Sequence, residues 1–137
     1  MKKIIYILSL SLLVACNSED AFDCFQTEGN LVQQEVTVDA FERILVNRDV
    51  ELIVKEGPEY SVVIETGDNL LNDIDAVVIG NQLQLSDNNT CNYVRGYGIT
   101  KIYVTAPNLT EIRHSSQYDV SSEGVLTYPE FKIISED

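Results

Sequence analysis

From Leu31 to Ile134 the apolar positions fall on alternate residues in short runs. Val36 and Val38 alternate with polar neighbours, as do Val50, Leu52 and Val54, then Tyr60, Val62 and Ile64. Leu83 with Leu85 and Ile102 with Val104 continue the pattern. A period of two turns one face of an extended strand to a core and the other to water. Val, Ile, Thr and Tyr dominate these runs, and such side chains pack well on a pleated surface. Turn formers separate them: Glu56-Gly57-Pro58, Gly67-Asp68-Asn69, Gly80-Asn81, Asp87-Asn88-Asn89 and Ala106-Pro107-Asn108. The step Ile79-Gly80-Asn81-Gln82 predicts a tight hairpin. No stretch carries a helical stripe over three turns, and Asn69 to Asp73 has room for one short turn. The pattern predicts an all-β domain over residues 31–137.

Period alone does not choose between sandwich, barrel and solenoid. The segment "KIYVTAPNLTEI" from Lys101 reads as a strand, a Pro-Asn corner and an apolar pair, and "EFKII" from Glu130 opens another strand. Intervals near ~20 residues suit the rungs of a β-solenoid. The spacing leans toward a solenoid and leaves a β-sandwich and a barrel open as alternatives.

The longest apolar run lies at the start. Lys2 and Lys3 precede Ile4 to Val14, and the run stops at Ala15-Cys16. It suits the core of a secretory signal and is too short to span a bilayer. Leu13-Val14-Ala15-Cys16 resembles the lipobox of bacterial lipoproteins, in which the thiol is acylated and cleavage leaves the cysteine first. An ordinary cleaved signal or an uncleaved anchor are the alternatives. A small residue followed by cysteine at the end of the run favours the lipoprotein. Residues 1–15 are then a signal peptide, and 16–30 the lipid anchor and a polar tether. Asn17-Ser18-Glu19-Asp20 reads equally as a surface-export signal or a solvated spacer.

Composition narrows the partners. The 137-residue chain carries a net charge of -13. Without Lys2 and Lys3, seven basic residues face 22 acids, near -15. Such a surface repels nucleic-acid phosphates and anionic headgroups, so no nucleic-acid partner is expected and membrane contact runs through the lipid. Two cysteines remain beside Cys16. In an exported chain Cys24 and Cys91 form a disulfide or stay as two buried thiols, and the oxidising compartment favours the bridge.

Little in the chain points to catalysis. His114, Ser115 and Asp119 contain triad residue types but lie within six positions, and no nucleophile elbow is present. Asp68, Asn69, Asn72, Asp73 and Asp75 lack calcium-loop order and suit ordinary turns. No metal site and no cofactor is expected. The segment Cys91 to Gly98 differs: Tyr93 and Tyr97 flank Arg95 beside glycines. Aromatic platforms with a polar neighbour suit carbohydrate or protein contacts, while the plainer and favoured reading is a loop whose tyrosines cover the core.

The stretch from Asp23 to Val120 resembles the auto-transporter adhesin head, or head GIN domain, family. Phe41 and Ile44 entering a strand, Val50 to Val54 beside it, and Asn69-Leu70-Leu71 carry the resemblance. The strand into Pro107-Asn108-Leu109 with Ile112 after it completes it. The resemblance implies a secreted or lipid-anchored protein with a right-handed parallel β-helix-like domain. Two departures stand out. His114 to Asp119 has no glycine where the family has a Gly/Ser-rich step, and the family pattern runs through further rungs beyond Asp137. Residues 31–137 are thus expected to be a partial head domain.

The expected function is an outer-membrane lipoprotein, surface exposed, that acts as an adhesin or scaffold toward a glycan or protein. A carbohydrate-active enzyme accessory or relic, or a non-functional fragment of a longer gene, are the alternatives. The closing "TYPEFKIISED" places an apolar strand at the end of the domain, where either marginal stability or self-association through its edge is expected. Cys16→Ala is expected to abolish acylation and move the protein from the membrane fraction to the soluble fraction; a wild type already fully soluble contradicts the lipoprotein reading.

Overall fold

The computed structural model describes residues 23–89 and 91–136. The expected signal peptide, the expected lipidation site Cys16 and the first residues of the expected tether lie outside them. Among the described residues ten strands form in chain order: β1 (Leu31–Val36), β2 (Arg43–Val46), β3 (Glu51–Glu56), β4 (Ser61–Gly67), β5 (Ile74–Ile79), β6 (Gln82–Asp87), β7 (Lys101–Ala106), β8 (Glu111–His114), β9 (Val120–Ser122) and β10 (Lys132–Ser135). Single 3₁₀ turns at Asp23–Phe25 and Leu71–Asp73 are the helical elements among the described residues. The second falls in the segment with room for one short turn. The hairpin at Gly80-Asn81 also forms: β5 and β6 pair antiparallel with Ile79 opposite Gln82, and Gly80 turns at φ 64°.

The strands make two mixed five-stranded sheets, neither closed. One has the order β1-β4-β7-β3-β9, the other β10-β8-β2-β6-β5. Pairing of β3 with β7 and β9, of β2 with β6 and β8, and of β8 with β10 is parallel. β1–β4, β4–β7 and β5–β6 are antiparallel. The parallel ladders are the mark of a coil. The antiparallel strands, with two sheets over one core, are the mark of a sandwich. The molecule is therefore all-β with two mixed sheets, and both expected layouts retain support.

Register explains the core. In the second sheet Val78, Leu83, Ile44, Ile112 and Ile133 are successive partners, and in the first Ile64, Ile102, Leu52 and Val120. Each column stacks one aliphatic side chain per strand. The inward residues of both sheets join in one cluster, with Phe41 and Leu109 buried at the strand approaches. Burying each such side chain contributes about 1.5–3 kcal/mol. Most members are unexposed, but Ile133 at the end of its column is 58% exposed.

The expected tether is partly docked. At the end of the segment 16–30, Asn30 donates to Asp68 Oδ1 at 3.0 Å and the Asn69 amide donates to the carbonyl of Thr27 at 3.0 Å. Gly67 makes the close approach possible: a Cβ there would meet the carbonyl oxygen of Glu28 at 1.9 Å. Spacing and polarity suggested a free segment because these contacts join residues some 40 positions apart, as in the 42-residue separation of Thr27 and Asn69.

Tyr128 closes the stretch between β9 and β10. Its hydroxyl donates to the Ala106 carbonyl at 2.9 Å, and its ring meets Phe131 at 5.5 Å. Nearby, Thr127 donates its N–H and hydroxyl to Glu56, which holds that carboxyl below its ordinary range. Burial, reinforced by the Glu56 charge, pushes the Tyr128 phenol up to about 12. A raised folded-state value favours the neutral phenol, so its contribution is complete below the ordinary value near ~10 and is lost as pH rises toward the folded value. Tyr128→Phe is expected to cost about 1–2 kcal/mol in a denaturant titration at neutral pH. Between pH ~10 and ~12 the wild type should lose stability that the variant never had; parallel pH profiles would contradict this.

Candidate binding site

The chain between β6 and β7 forms the candidate site, and a buried polar network builds its floor. Asp87 closes β6 with 6% exposure, and Thr100 precedes β7 with 1%. The Thr100 hydroxyl donates to Asp87 Oδ2 at 2.6 Å and lies 2.9 Å from the Thr66 hydroxyl. Its single proton is committed to the carboxylate, so Thr66 donates to Thr100. The other carboxylate oxygen accepts the Asn89 backbone N–H at 2.9 Å and its side-chain amide at 2.7 Å. That amide also reaches the Leu70 carbonyl at 3.1 Å. A buried carboxylate is tolerated when hydrogen-bonded in this way. The network ties β4, β6 and β7 together at one end of the domain.

The wall is a loop folded on itself and pinned to the N-terminal segment. Asn92 accepts the Arg95 N–H at 2.8 Å and donates to the Arg95 carbonyl at 2.7 Å, an Asx-type turn. Cys24 and Cys91 are bonded as a disulfide, which resolves the two alternatives for these thiols. Tyr93 N–H donates to the Cys24 carbonyl at 2.9 Å. Arg95 Nη1 donates to the Gln26 carbonyl at 3.2 Å. Gly98 turns at φ 69°, and a Cβ there would meet the Tyr118 ring at 2.8 Å.

Behind this loop lies a cavity of about 220 Å³ lined by Asp49, Asp87, Asn89, Arg95, Tyr97 and Tyr118, among others. Asp49 holds a positive φ of 62°, supported by Gln117, whose amide bonds its carboxylate and whose carbonyl oxygen accepts its N–H at 3.3 Å. The lining is mixed in charge, with carboxylates, amides and phenols around one guanidinium.

The three residues singled out by sequence separate into two groups. Arg95 and Tyr97 lie at the cavity, Tyr97 with 81% exposure. Tyr93 stands outside it, 75% exposed, with its ring 5.8 Å from that of Phe25. Neither tyrosine covers the core. Arg95 also braces the loop against the N-terminal segment. Phe25, Asp87 and Asn89 were not legible as site residues. Phe25 follows Cys24, and Tyr93 stands two positions after Cys91, so the bridge is the signal that would have joined them. His114 and Ser115 bond the backbone carbonyls of Tyr118 at 2.7 Å and Val46 at 3.3 Å.

Comparison with known proteins adds a family and a fold. The family described as "putative auto-transporter adhesin, head GIN domain" matches residues 40–137. A crystal structure of a "putative adhesin" from Bacteroides fragilis is similar with TM-score 0.71 and 23% identity, over 80% of this chain and 51% of that one. Another "putative adhesin", from Parabacteroides merdae, gives 0.66 and 16%, over 78% and 45%. A "putative lipid binding protein" from Parabacteroides distasonis gives 0.53 and 16%, over 67% and 41%. At these identities the likeness shows the fold. The chain spans about half the length of these proteins or less, as the shares of 51%, 45% and 41% state. No curated protein sequence matches the chain.

The bridge closes a loop of sequence separation 67. In the chain-entropy account, replacing both cysteines by serine is expected to remove roughly 4 kcal/mol of stability. Denaturant titration with and without reductant checks this: the wild type should fall to the variant's midpoint on reduction. Unchanged midpoints would show that the bridge does not constrain the unfolded chain.

Proposed function

The chain belongs to the auto-transporter adhesin head GIN domain family, whose match spans residues 40–137, and from that membership we propose that it is a lipid-anchored cell-envelope module that acts by binding, without chemistry of its own. The small residue and cysteine that end the leading apolar run support the anchor. One acyl chain holds a protein only marginally, so stable attachment needs more than one on Cys16. The anchored domain reads as an outer-membrane lipoprotein that faces outward. Its parallel ladders support a coil in which β6–β7, β2–β3 and β8–β9 are successive layers. The resemblance implies that this coil is right-handed.

The carrying observation is the disulfide-pinned loop that holds Tyr97 almost fully exposed at the rim of a polar cavity. An exposed aromatic ring next to carboxylate and amide acceptors is the chemistry that recognises a saccharide: the ring takes the apolar face of a sugar, and the acceptors take its hydroxyls. At about 220 Å³ the cavity is smaller than the ~300–1,000 Å³ that encloses a drug-sized ligand. It suits the end of a glycan chain, with the remainder lying across the loop. Holding the loop in place before binding lowers the ordering penalty.

A glycan array probed with the protein tests this. Binding is expected, with Tyr97→Ala weakening the best ligand about tenfold or more and Tyr93→Ala, outside the cavity, less. No array signal, or a signal indifferent to Tyr97, would overturn the saccharide reading. Release of reducing ends from a bound glycan would overturn binding without chemistry.

A further inference from the structure

Three exposed apolar side chains stand beside the disulfide. Phe25 is 54% exposed, Tyr93 75% and Val94, which follows it, 52%. The two rings lie 5.8 Å apart, and the bridge from Cys24 to Cys91 holds their segments side by side. The Tyr93 N–H donates to the Cys24 carbonyl at 2.9 Å, so backbone as well as sulfur sets the pair. Tyr93 is not among the residues lining the polar cavity, which leaves it without a part there. We propose that Phe25, Tyr93 and Val94 form a docking patch that rests in the phospholipid interface of the chain's own membrane. The inference rests on the anchor at Cys16 proposed above and adds a second, reversible contact to it.

Chain length places the patch. Cys16 and Phe25 are nine residues apart, and nine residues span at most about 32 Å whatever path they take. An acylated Cys16 sits at the membrane surface, so Phe25 stays within that reach, and the bridge carries Tyr93 with it. A short reach keeps the patch concentrated at the surface, so contacts too weak to hold a free protein count in an anchored one.

Charge favours the same face. The chain carries 22 acids, yet none of the 23 residues between Asp87 and Glu111 is acidic, and Arg95 and Lys101 lie among them. The net charge of -13 keeps most of the surface away from anionic headgroups, and this stretch adds nothing to that repulsion. Asp23 borders the other segment, which favours a zwitterionic interface over an anionic one. Aromatic rings suit the headgroup level, where the ring meets acyl chains and a phenol keeps its hydrogen bonds to the polar layer. The loop is already folded by Asn92 and braced through the Gln26 carbonyl, so docking adds little ordering cost. It joins β6, next to β5, to β7, next to β4, whereas β9 and β10 end the opposite sides of the two sheets. The patch is therefore not on the layer that chain beyond Asp137 would extend. The proposal also divides the two tyrosines, Tyr93 to the membrane and Tyr97 to the cavity.

Lipid quenching tests this on the full chain, expressed with its leader and reconstituted from detergent into phosphatidylcholine vesicles. With Cys16 acylated and Cys24 bonded to Cys91, Val94→Cys supplies a single thiol for an environment-sensitive fluorophore. The label is expected to shift to the blue and to be quenched several-fold by brominated phosphatidylcholine. A label on Val125→Cys is expected to stay unquenched, since Val125 is 85% exposed beside Glu56 and Pro107, at the far ends of β3 and β7. Phe25→Ala together with Tyr93→Ala should remove most of the quenching at position 94 and leave flotation with the vesicles unchanged. Flotation separates the two claims. A chain that does not float overturns the anchor and this inference with it; a chain that floats with position 94 unquenched overturns the docking alone. Equal quenching at positions 94 and 125, or quenching indifferent to the aromatic pair, would also overturn it. So would a blue shift without lipid quenching, which would place protein on the patch.

Discussion

The structure depends on in-register stacking of aliphatic side chains across two sheets that share one core. Each column presents one Val, Ile or Leu per strand, and its inner members are buried by their neighbours above and below as well as by the facing sheet. A one-residue slip in any strand would send its inward residues to water and bring Arg, Lys or Glu inward. Arg43, Lys55 and Glu51 are the outward neighbours that make this slip so unfavourable. The apolar columns therefore set the register, and register in turn sets where every loop leaves the sheets. The candidate site follows from that. Asp87 and Thr100 stand together because β6 ends and β7 begins at the same end of the stack.

The polar network at that end complements the apolar columns. Thr66, Thr100 and Asp87 occupy inward or buried positions where a further aliphatic layer would otherwise sit. A hydroxyl–hydroxyl–carboxylate chain with defined donor directions specifies one arrangement of three strands, whereas aliphatic stacking tolerates several. The disulfide acts on the same end. It fixes Asp23–Phe25 against the loop after β6, and Arg95 repeats that fastening through the Gln26 carbonyl. These two ties, with the Tyr93 N–H on the Cys24 carbonyl, hold in place a loop that buries few side chains of its own.

Strands were legible in the sequence because period two survives along Val50-Glu51-Leu52-Ile53-Val54 and Lys101-Ile102-Tyr103-Val104. Their partners were not legible. Ile44, Leu83 and Ile112 are interchangeable as letters, and only closure of the whole core decides that Ile44 sits between the other two. The hairpin at Gly80-Asn81 was readable because a local turn dictates it. The parallel pairings were not, since they join residues such as Leu52 and Ile102 through long connections. In the site, Tyr93, Arg95 and Tyr97 carried a compositional signal, and the fold then divided them between cavity and outer surface. Asp87 and Asn89 looked like ordinary turn formers, because nothing local reveals that a carboxylate will be buried against a threonine from a distant strand.

The two ends of the stack are built differently. A stack of this kind buries each layer only against the next, so its end layers decide how it meets its surroundings. The end bearing β1 turns its strands antiparallel and faces outward with Gln33 donating to Glu65 at 2.6 Å, a charged edge that discourages addition. The end bearing β10 keeps the parallel direction and leaves Ile133 open, while its charges are arranged head to tail instead of uniformly. With a net charge of -13 the molecule repels its copies over most of its surface. The candidate site lies at the loop after β6. The same columns that hold the core together keep that loop and the end bearing β10 on separate parts of one rigid frame.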